Sequence, residues 1–463
     1  MRSPLEQSVL SVIRPVPDER EHIARVAERI IKNAAGKGGA EPMIVGSVAR
    51  GTFIHGDRDL DVFLLFDPAL TRENLEEEGL RLARSIADEL SDSYYEKYAE
   101  HPYISATIEG FEVDLVPCFK VESASAIRSS VDRTPFHTRY IEAKIGRYVD
   151  DVLLLKQFAK AGGVYGSDQM TEGFSGYLCE LLILNYGGFS ALLEAAAEWK
   201  PGTLIDLEEH RTKKFSEPLV VIDPVDSGRN VSASVSLDRM CEFVELARGY
   251  IKAPSRSYFF PPERTAYTRE ELTSRIDSKG TFLYGIIFAT PPYIPDVVVP
   301  QLRRSLDSIR GLLERNGFIV NNSGCEMVDA RCMLLFELNT EEVPHTRRHI
   351  GPPLWNRTNA ERFFEKYIVD SPEGISVGPY IENGRYVVEI PRRYTHAADL
   401  LRSREMLDVG LGRHVRQSMM EHWEVYRGGD CWSPDLAPFI SDFLNPRSPV
   451  ARILGQGTNS RID

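Results

Sequence analysis

Two aspartates one residue apart, Asp59 and Asp61, interrupt the apolar run RDLDVFLLF (58–66). Alternate side chains of a strand share a face, so both acids point one way while Leu60, Val62 and Leu64 point the other. Two carboxylates on one face of an apolar strand repel each other and lose hydration unless a cation sits between them. Mg²⁺ is suited to that place, because it takes carboxylates together with phosphate oxygens and water. A second apolar run, FEVDLVPCF (111–119), carries Asp114 at its centre. Glu112 shares the parity of Asp114 and is its rival, expected nearer the strand edge and solvated. Gly46-Ser47 follows the short run PMIV (42–45) and opens a helix, where free backbone N–H groups attract phosphate. Ser47 adds a hydroxyl donor, and Arg50, one turn on, can reach a phosphate oxygen. A lone pair of spaced aspartates would be read as a solvated strand end, with Asp59 paired to Arg50 or Arg58. Three acids on two strands beside a phosphate-binding turn instead fit two-metal phosphoryl transfer. There one ion activates an attacking hydroxyl and the other steadies a triphosphate and its leaving pyrophosphate.

These residues need a sheet to hold them, and the surrounding pattern predicts one. A helix over 17–35 spaces Ile23, Val26, Ile30 and Ile31 at helical intervals, and an amphipathic helix is predicted over 72–90. Strands are predicted at 42–45, 58–66, 93–98, 102–108 and 111–117, which makes residues 1–137 an α/β unit with a mixed sheet. Residues 138–262 read as helical, with one helix running through 141–161 to Gly162-Gly163 and further helical stretches in 177–199 and 236–253. The segment PSRSYFFPP (254–262) marks a boundary. Residues 263–455 alternate strand and helix: strands at 281–289, 317–322, 331–338 and 385–391, helices at 297–315 and 358–368. That order, βαββαβ, predicts a ferredoxin-like sheet with helices on one face. Asn383-Gly384 predicts a type I′ hairpin turn before the last strand. The tail GQGTNSRID is expected to fray.

Composition sets outer limits. Apolar residues at 42% and charged residues at 27% are those of a soluble globular chain, and 463 residues allow about three domains. No run of about 18 apolar residues is present, so no membrane partner is expected. The N-terminus turns charged too early for a secretory signal. Six cysteines, at 118, 179, 241, 325, 332 and 431, form no CxxC pair, which argues against a zinc ribbon or a disulfide framework and for reduced thiols in the cytoplasm. The net charge of −13 does not decide the partner, because a local basic face can still neutralise phosphates. Two such stretches, HTRRH (345–349) and PRRYTHAADLLRSR (391–404), mix arginine with histidine and tyrosine suited to phosphate contact and base stacking.

The Gly-Ser turn, the spaced aspartates and the third strand acid together resemble the DNA polymerase β-type nucleotidyltransferase superfamily. Further segments narrow the resemblance to the archaeal-type (class I) CCA-adding enzymes: DRTPFHTRY (132–140), LLLKQFAKAGGVYG (153–166), GFSGYLCELLI (173–183), VVIDPVDSGRNVSASVS (220–236), PQLRRSLDSI and PYIENGRYVVEI. The chain departs from many members at Asp59, where they carry glutamate; the shorter acid keeps the charge. The resemblance implies that Asp59, Asp61 and Asp114 are the catalytic metal ligands, with Mg²⁺ as cofactor. It implies nucleotide contacts by Gly46, Ser47, Arg50, His137, Lys156 and Tyr165, and reading of the incoming base by Arg229. It implies CTP and ATP as substrates, the tRNA acceptor arm and 3′ end held by the C-terminal region, and a homodimer among the expected assemblies. The expected reaction is template-independent addition of C, C and A to tRNA with release of pyrophosphate. Another polymerase β-type transferase (a poly(A) polymerase or a small-molecule enzyme) and an inert RNA-binding protein on the same fold remain as alternatives at this point.

Overall fold

The computed structural model describes residues 2–98, 102–263, 265–369 and 376–454, so the tail GQGTNSRID lies outside the described residues. Two compact units emerge, one of residues 1–263 with 447–463 and one of residues 264–446.

The first unit opens its sheet with β1 (Glu41–Val45), β2 (Asp59–Phe66), β3 (Ser93–Tyr98), β4 (Pro102–Ile108) and β5 (Phe111–Phe119), in the order β1-β2-β5-β4-β3. The pair β2·β5 is parallel and the other pairs are antiparallel, the mixed sheet anticipated from sequence. Leu60, Val62 and Leu64 bury one face of β2 against Ile23, Val26 and Ile30 of the helix Pro17–Lys37 and Leu82 and Ile86 of the helix Arg72–Leu90. The Thr71 hydroxyl caps the latter helix by accepting the Asn74 N–H at 3.2 Å, which fixes where it starts. On the other face of β2, Phe63 and Leu65 pack with Val45 and Cys118, leaving Asp59 and Asp61 at the opening end of the strand.

A second core in this unit is helical, built from Thr134–Ile145, Val149–Gly162, Gly176–Tyr186, Phe189–Ala196 and Leu237–Lys252, with Phe158 ringed by Phe189, Phe243, Tyr250, Tyr258 and Phe259. The N-terminal helix Pro4–Ile13 joins this core through Val9, Leu10 and Ile13 rather than the sheet. Three expectations need correction here. The helix expected through 141–161 is broken by a 3₁₀ turn at Gly146–Tyr148, where a glycine interrupts the run and Tyr148 leaves helical geometry at ψ 2°. The region is also not all helical: β6 (Thr203–Ile205), β7 (Leu219–Asp223) and β8 (Asp226–Asn230) form a small sheet. Its strands are three to five residues long, and DSGRN has no apolar alternation to betray it. Finally, residues 447–454 belong to this first unit, where the helix Pro449–Ile453 packs Ile453 into the helical core. Among the described residues no single helix is long and apolar enough to cross a membrane.

The second unit holds β9 (Phe282–Ala289), β10 (Val320–Val328), β11 (Arg331–Leu338), β12 (Thr346–Pro353), β13 (Val377–Glu382), β14 (Arg385–Pro391) and β15 (Trp423–Arg427). Its antiparallel sheet runs β10-β11-β9-β15, the 4-1-3-2 order of a ferredoxin-like βαββαβ unit. The members differ from expectation: the fourth strand is β15, preceded by the helix Arg413–Glu421, and the strand expected from 317 begins at Val320. The strand 385–391 exists, but it is the centre of a separate sheet, β12-β14-β13, inserted after β11. The apolar pattern reports that a strand forms, not which sheet takes it. Both faces of the ferredoxin-like sheet are buried, one under the helix Pro295–Arg315 and one against Leu272, Ile276 and Ile440. Asn383 and Gly384, both at positive φ (50° and 72°), make the two-residue hairpin turn between β13 and β14.

Candidate active site

Strand pairing brings the three acids together. In the parallel β2·β5 register Asp61 lies opposite Asp114 and Asp59 opposite Glu112. Val45, the last residue of β1, pairs with Asp61, so the chain turns at Gly46 directly beside that carboxylate. Gly46 holds φ at 72°, and a β-carbon there would overlap Asp61 Oδ2 and lie 3.1 Å from its Cγ. The short helix Gly46–Arg50 then carries Ser47 and Arg50.

Gly46, Ser47, Arg50, Asp59, Asp61, Glu112, Asp114, Lys156 and Tyr165 line one pocket of about 400 Å³ with Lys97 and Tyr177. Eight of these are expected site residues, Asp59 among them, and the ninth is Glu112, the rival of Asp114, which is exposed. A larger groove of about 840 Å³ lies at the far ends of β2 and β5, around Leu65, Asp67 and Phe119, away from the acids.

The electrostatics of the cluster are those of crowded carboxylates. Burial, then the charge of Asp114, pushes the Asp61 carboxyl up to about 6 against the pull of Arg50. Burial and the neighbouring Asp57, Glu112 and Asp114 also raise Asp59. Asp114 is anchored by a 2.6 Å hydrogen bond from the Ser105 hydroxyl on β4, and Lys97 stands 3.9 Å from it. Among the described residues no three acidic, histidine or cysteine groups are gathered closely enough to hold an ion by themselves. Two raised carboxylates beside Asp114 fit a hard divalent cation that shares them with phosphate oxygens and water, rather than one caged by protein alone.

Lys156 is buried and the Arg50 side chain only 7% exposed, and each is held from behind. Arg50 Nε donates to Glu180 Oε1 at 3.0 Å and lies 2.9 Å from Oε2, and its Nη1 donates to Thr138 Oγ1 at 3.3 Å. Lys156 Nζ donates to the Thr52 carbonyl at 2.8 Å, and burial lowers its pKa. The Tyr165 hydroxyl and the Lys156 ammonium meet at Gly176, where a β-carbon would lie 3.1 Å from the one and 3.5 Å from the other.

His137 and Arg229 do not line this pocket; they converge beside it on Asp223, at the end of β7. Asp223 Oδ2 accepts from His137 Nε2 at 2.8 Å and from Arg229 Nη1 at 2.7 Å, and Oδ1 accepts from the Tyr177 hydroxyl at 3.2 Å. Burial by itself would raise Asp223, but the hydrogen bond from His137 and the Arg229 charge, with the Val225 N–H, bring it down to about 2. Burial lowers the His137 pKa against the pull of Asp223, and its ring stacks on Tyr177 at 4.1 Å. Tyr177 therefore links the Asp223 cluster to the pocket. Arg229 sits on β8.

Sequence reasoning passed over Glu180, Asp223, Tyr177, Thr52, Ser105 and Lys97. The signal for the two acids was present: each is a single carboxylate inside an apolar run, YLCELLILNY and LVVID. A buried carboxylate must find donors. In the second unit the expected basic stretches are partly committed within the protein. Arg348 pairs with Glu382, Arg393 with Glu405, and Arg392 donates to the Asn316 carbonyl.

Comparison with known proteins covers almost the whole chain. Residues 25–137 match the model of a nucleotidyltransferase domain, residues 150–260 that of a tRNA nucleotidyltransferase second domain, and residues 279–428 that of a CCA-adding enzyme C-terminal domain. The CCA-adding enzyme of Methanoregula boonei is 58% identical over 98% of this chain and 98% of its own. Those of Methanosarcina barkeri and Methanothermobacter thermautotrophicus are 42% and 36% identical, over 91% and 96% of this chain and 93% and 99% of theirs.

Proposed function

The chain belongs to the CCA-adding enzymes, and on that footing we propose that Asp59, Asp61 and Asp114 are the residues through which it extends tRNA. The reaction is addition of C, C and A to the tRNA 3′ end from CTP and ATP: the 3′-hydroxyl attacks the α-phosphorus and pyrophosphate leaves. The observation that carries the residue assignment is the β2·β5 register, which sets Asp61 against Asp114 beside the Gly46 turn. Full-length identity to CCA-adding enzymes also disposes of a small-molecule transferase or an inert RNA binder, which would not need the second unit and the acids together.

Mg²⁺ is the proposed ion, held by the three aspartates; when bound it would favour the nucleophilic alkoxide and neutralise charge on the triphosphate. The chain's own groups do the rest. Ser47, Arg50 and Lys156 supply donors and positive charge to the phosphates, and Tyr165 adds a hydroxyl beside Lys156. Arg229, braced by Asp223, presents the remainder of its fork to the base. The six cysteines, all unpaired, accord with a reducing compartment and with a cytoplasmic place of action. The direct test is incubation of a tRNA lacking its 3′ end with a divalent cation and each nucleotide in turn. Incorporation of C, C and then A, with a stop after three, is expected; indefinite tailing would refute the reading.

Arg229 makes a sharper prediction. A guanidinium only donates, which suits the O2 and N3 acceptors of cytosine and N1 of adenine. Uracil N3–H and guanine N1–H would set donor against donor, at a cost of about 1–3 kcal/mol, or roughly ten- to a hundredfold in selection. Arg229→Ala should weaken use of CTP and ATP and narrow their advantage over UTP and GTP by that factor. Incorporation of all four nucleotides on one tRNA measures it, and undiminished discrimination would reduce Arg229 to a structural contact. The logarithm of tRNA affinity should also fall linearly with log salt despite the acidic net charge, since phosphate contacts release counterions. A filter-binding salt series with a flat response would rule out a basic face as the holder of the acceptor arm.

A further inference from the structure

Glu180 is fully buried on the helix Gly176–Tyr186, among Leu178, Cys179, Leu181, Leu182 and Ile183. A carboxylate in such surroundings is costly unless it is paired and hydrogen-bonded, so its partners show what it is kept for. They come from one place. Arg50 lies 2.9 to 3.0 Å from both its oxygens, and the Thr52 hydroxyl donates to Oε1 at 2.5 Å. Arg50 and Thr52 bracket the end of the Gly46–Arg50 helix, the segment that carries the phosphate-binding turn. The carbonyl of the same Thr52 accepts from Lys156. Glu180 therefore meets the Arg50 guanidinium directly and is joined through Thr52 to Lys156, and both cations line the pocket.

The contacts to Arg50 engage Nε and Nη1, and Arg50 still lines the pocket alongside Asp61. We propose that Glu180 is a positioning residue that holds the Arg50 guanidinium at the height where the nucleotide triphosphate binds. The proposal rests on the reading of Arg50 as a phosphate-binding residue. A replacement of a buried ion pair by apolar groups is often neutral for stability, so a merely structural strut would not need this chemistry. An arginine aimed at an anion needs it, because a long side chain left unbraced samples many rotamers.

The test uses the full chain with Glu180→Gln, which preserves size and one acceptor but removes the charge. The KM for ATP and CTP should rise about tenfold or more, the loss of one charge-assisted contact. The KM for tRNA should stay unchanged. Binding of ATP with Mg²⁺, followed by calorimetry in the absence of tRNA, should weaken by the same factor. In an Arg50→Ala background, Glu180→Gln should add no further loss, because a group that acts through another is silent once that other is gone. Equal losses in both backgrounds, or an unchanged nucleotide KM, would overturn the proposal. Should Glu180→Gln fail to fold, Glu180→Asp draws the carboxylate back by one methylene and is judged by the same two-background comparison. A wild-type protein that binds ATP yet extends no tRNA would fail the functional reading alone, and the calorimetric arm would still decide the role of Glu180.

Discussion

Replacing Asp61 with asparagine should abolish transfer and yet stabilise the ligand-free protein at neutral pH. Loss of a metal-binding carboxylate removes several kcal/mol of transition-state stabilisation, about a thousandfold or more in rate. The stability effect follows from the crowding of the acids. Burial and Asp114 raise the Asp61 carboxyl from 3.8 to about 6, so the folded protein holds a proton that the unfolded chain has already released. Between those values stability falls as pH rises, and above about 6 the full penalty is present. A shift of that size is on the order of 3 kcal/mol, which asparagine does not incur. Urea unfolding without divalent ions should show the stability advantage of Asp61→Asn over wild type growing from pH 4 to 7. Adding Mg²⁺ should raise wild-type stability and leave the variant nearly unmoved. Asp59→Ala and Asp114→Ala should also stop transfer with the fold intact. A variant that transfers at near-normal rate, or an Asp61→Asn protein less stable than wild type at pH 7, would sink the metal assignment.

The acids were legible in the sequence because a strand imposes a period of two, and any carboxylate in an apolar strand stands out against it. The same logic applied to LVVID would have flagged Asp223, and applied to YLCELLI would have flagged Glu180. It was the pairing that was hidden: nothing in the chain states that β2 and β5 lie parallel and adjacent, which is what sets Asp61 against Asp114. Long amphipathic helices such as Arg72–Leu90 emerged at their expected bounds because apolar spacing and the Thr71 cap agree. Elements governed by distant contacts did not. The sheet β6-β7-β8 is too short for periodicity to report, and β14 left the sheet its position in the order implied because an insertion offered it other partners. His137, Lys156 and Tyr165 were identified only through resemblance. Their chemistry depends on burial and on Asp223, Thr52 and Gly176, all distant in sequence from the residues they serve.

Gly46→Ala should be nearly as damaging as loss of a carboxylate, although it changes no charge and removes no hydrogen-bonding group. Two penalties coincide at this position. At φ 72° an L-residue pays about 1 kcal/mol of backbone strain. The added methyl would also overlap Asp61 Oδ2, so the carboxylate must rotate or β1 and β2 must part. A shift of about 1 Å in a reacting group costs on the order of a hundredfold in rate, and more if the ion it holds moves with it. Gly51, at the other end of the same short helix, separates the two causes. It too has positive φ (67°), but a β-carbon there meets nothing within 4 Å. Gly51→Ala should therefore lose a similar amount of stability while keeping most of its transfer rate. Thermal unfolding and single-turnover incorporation of CTP, measured on both variants, make the comparison. If the two variants lose activity alike, backbone strain in the turn is responsible and the tight approach to Asp61 is incidental. If Gly46→Ala alone is inactive while melting near Gly51→Ala, the turn acts by fixing the carboxylate.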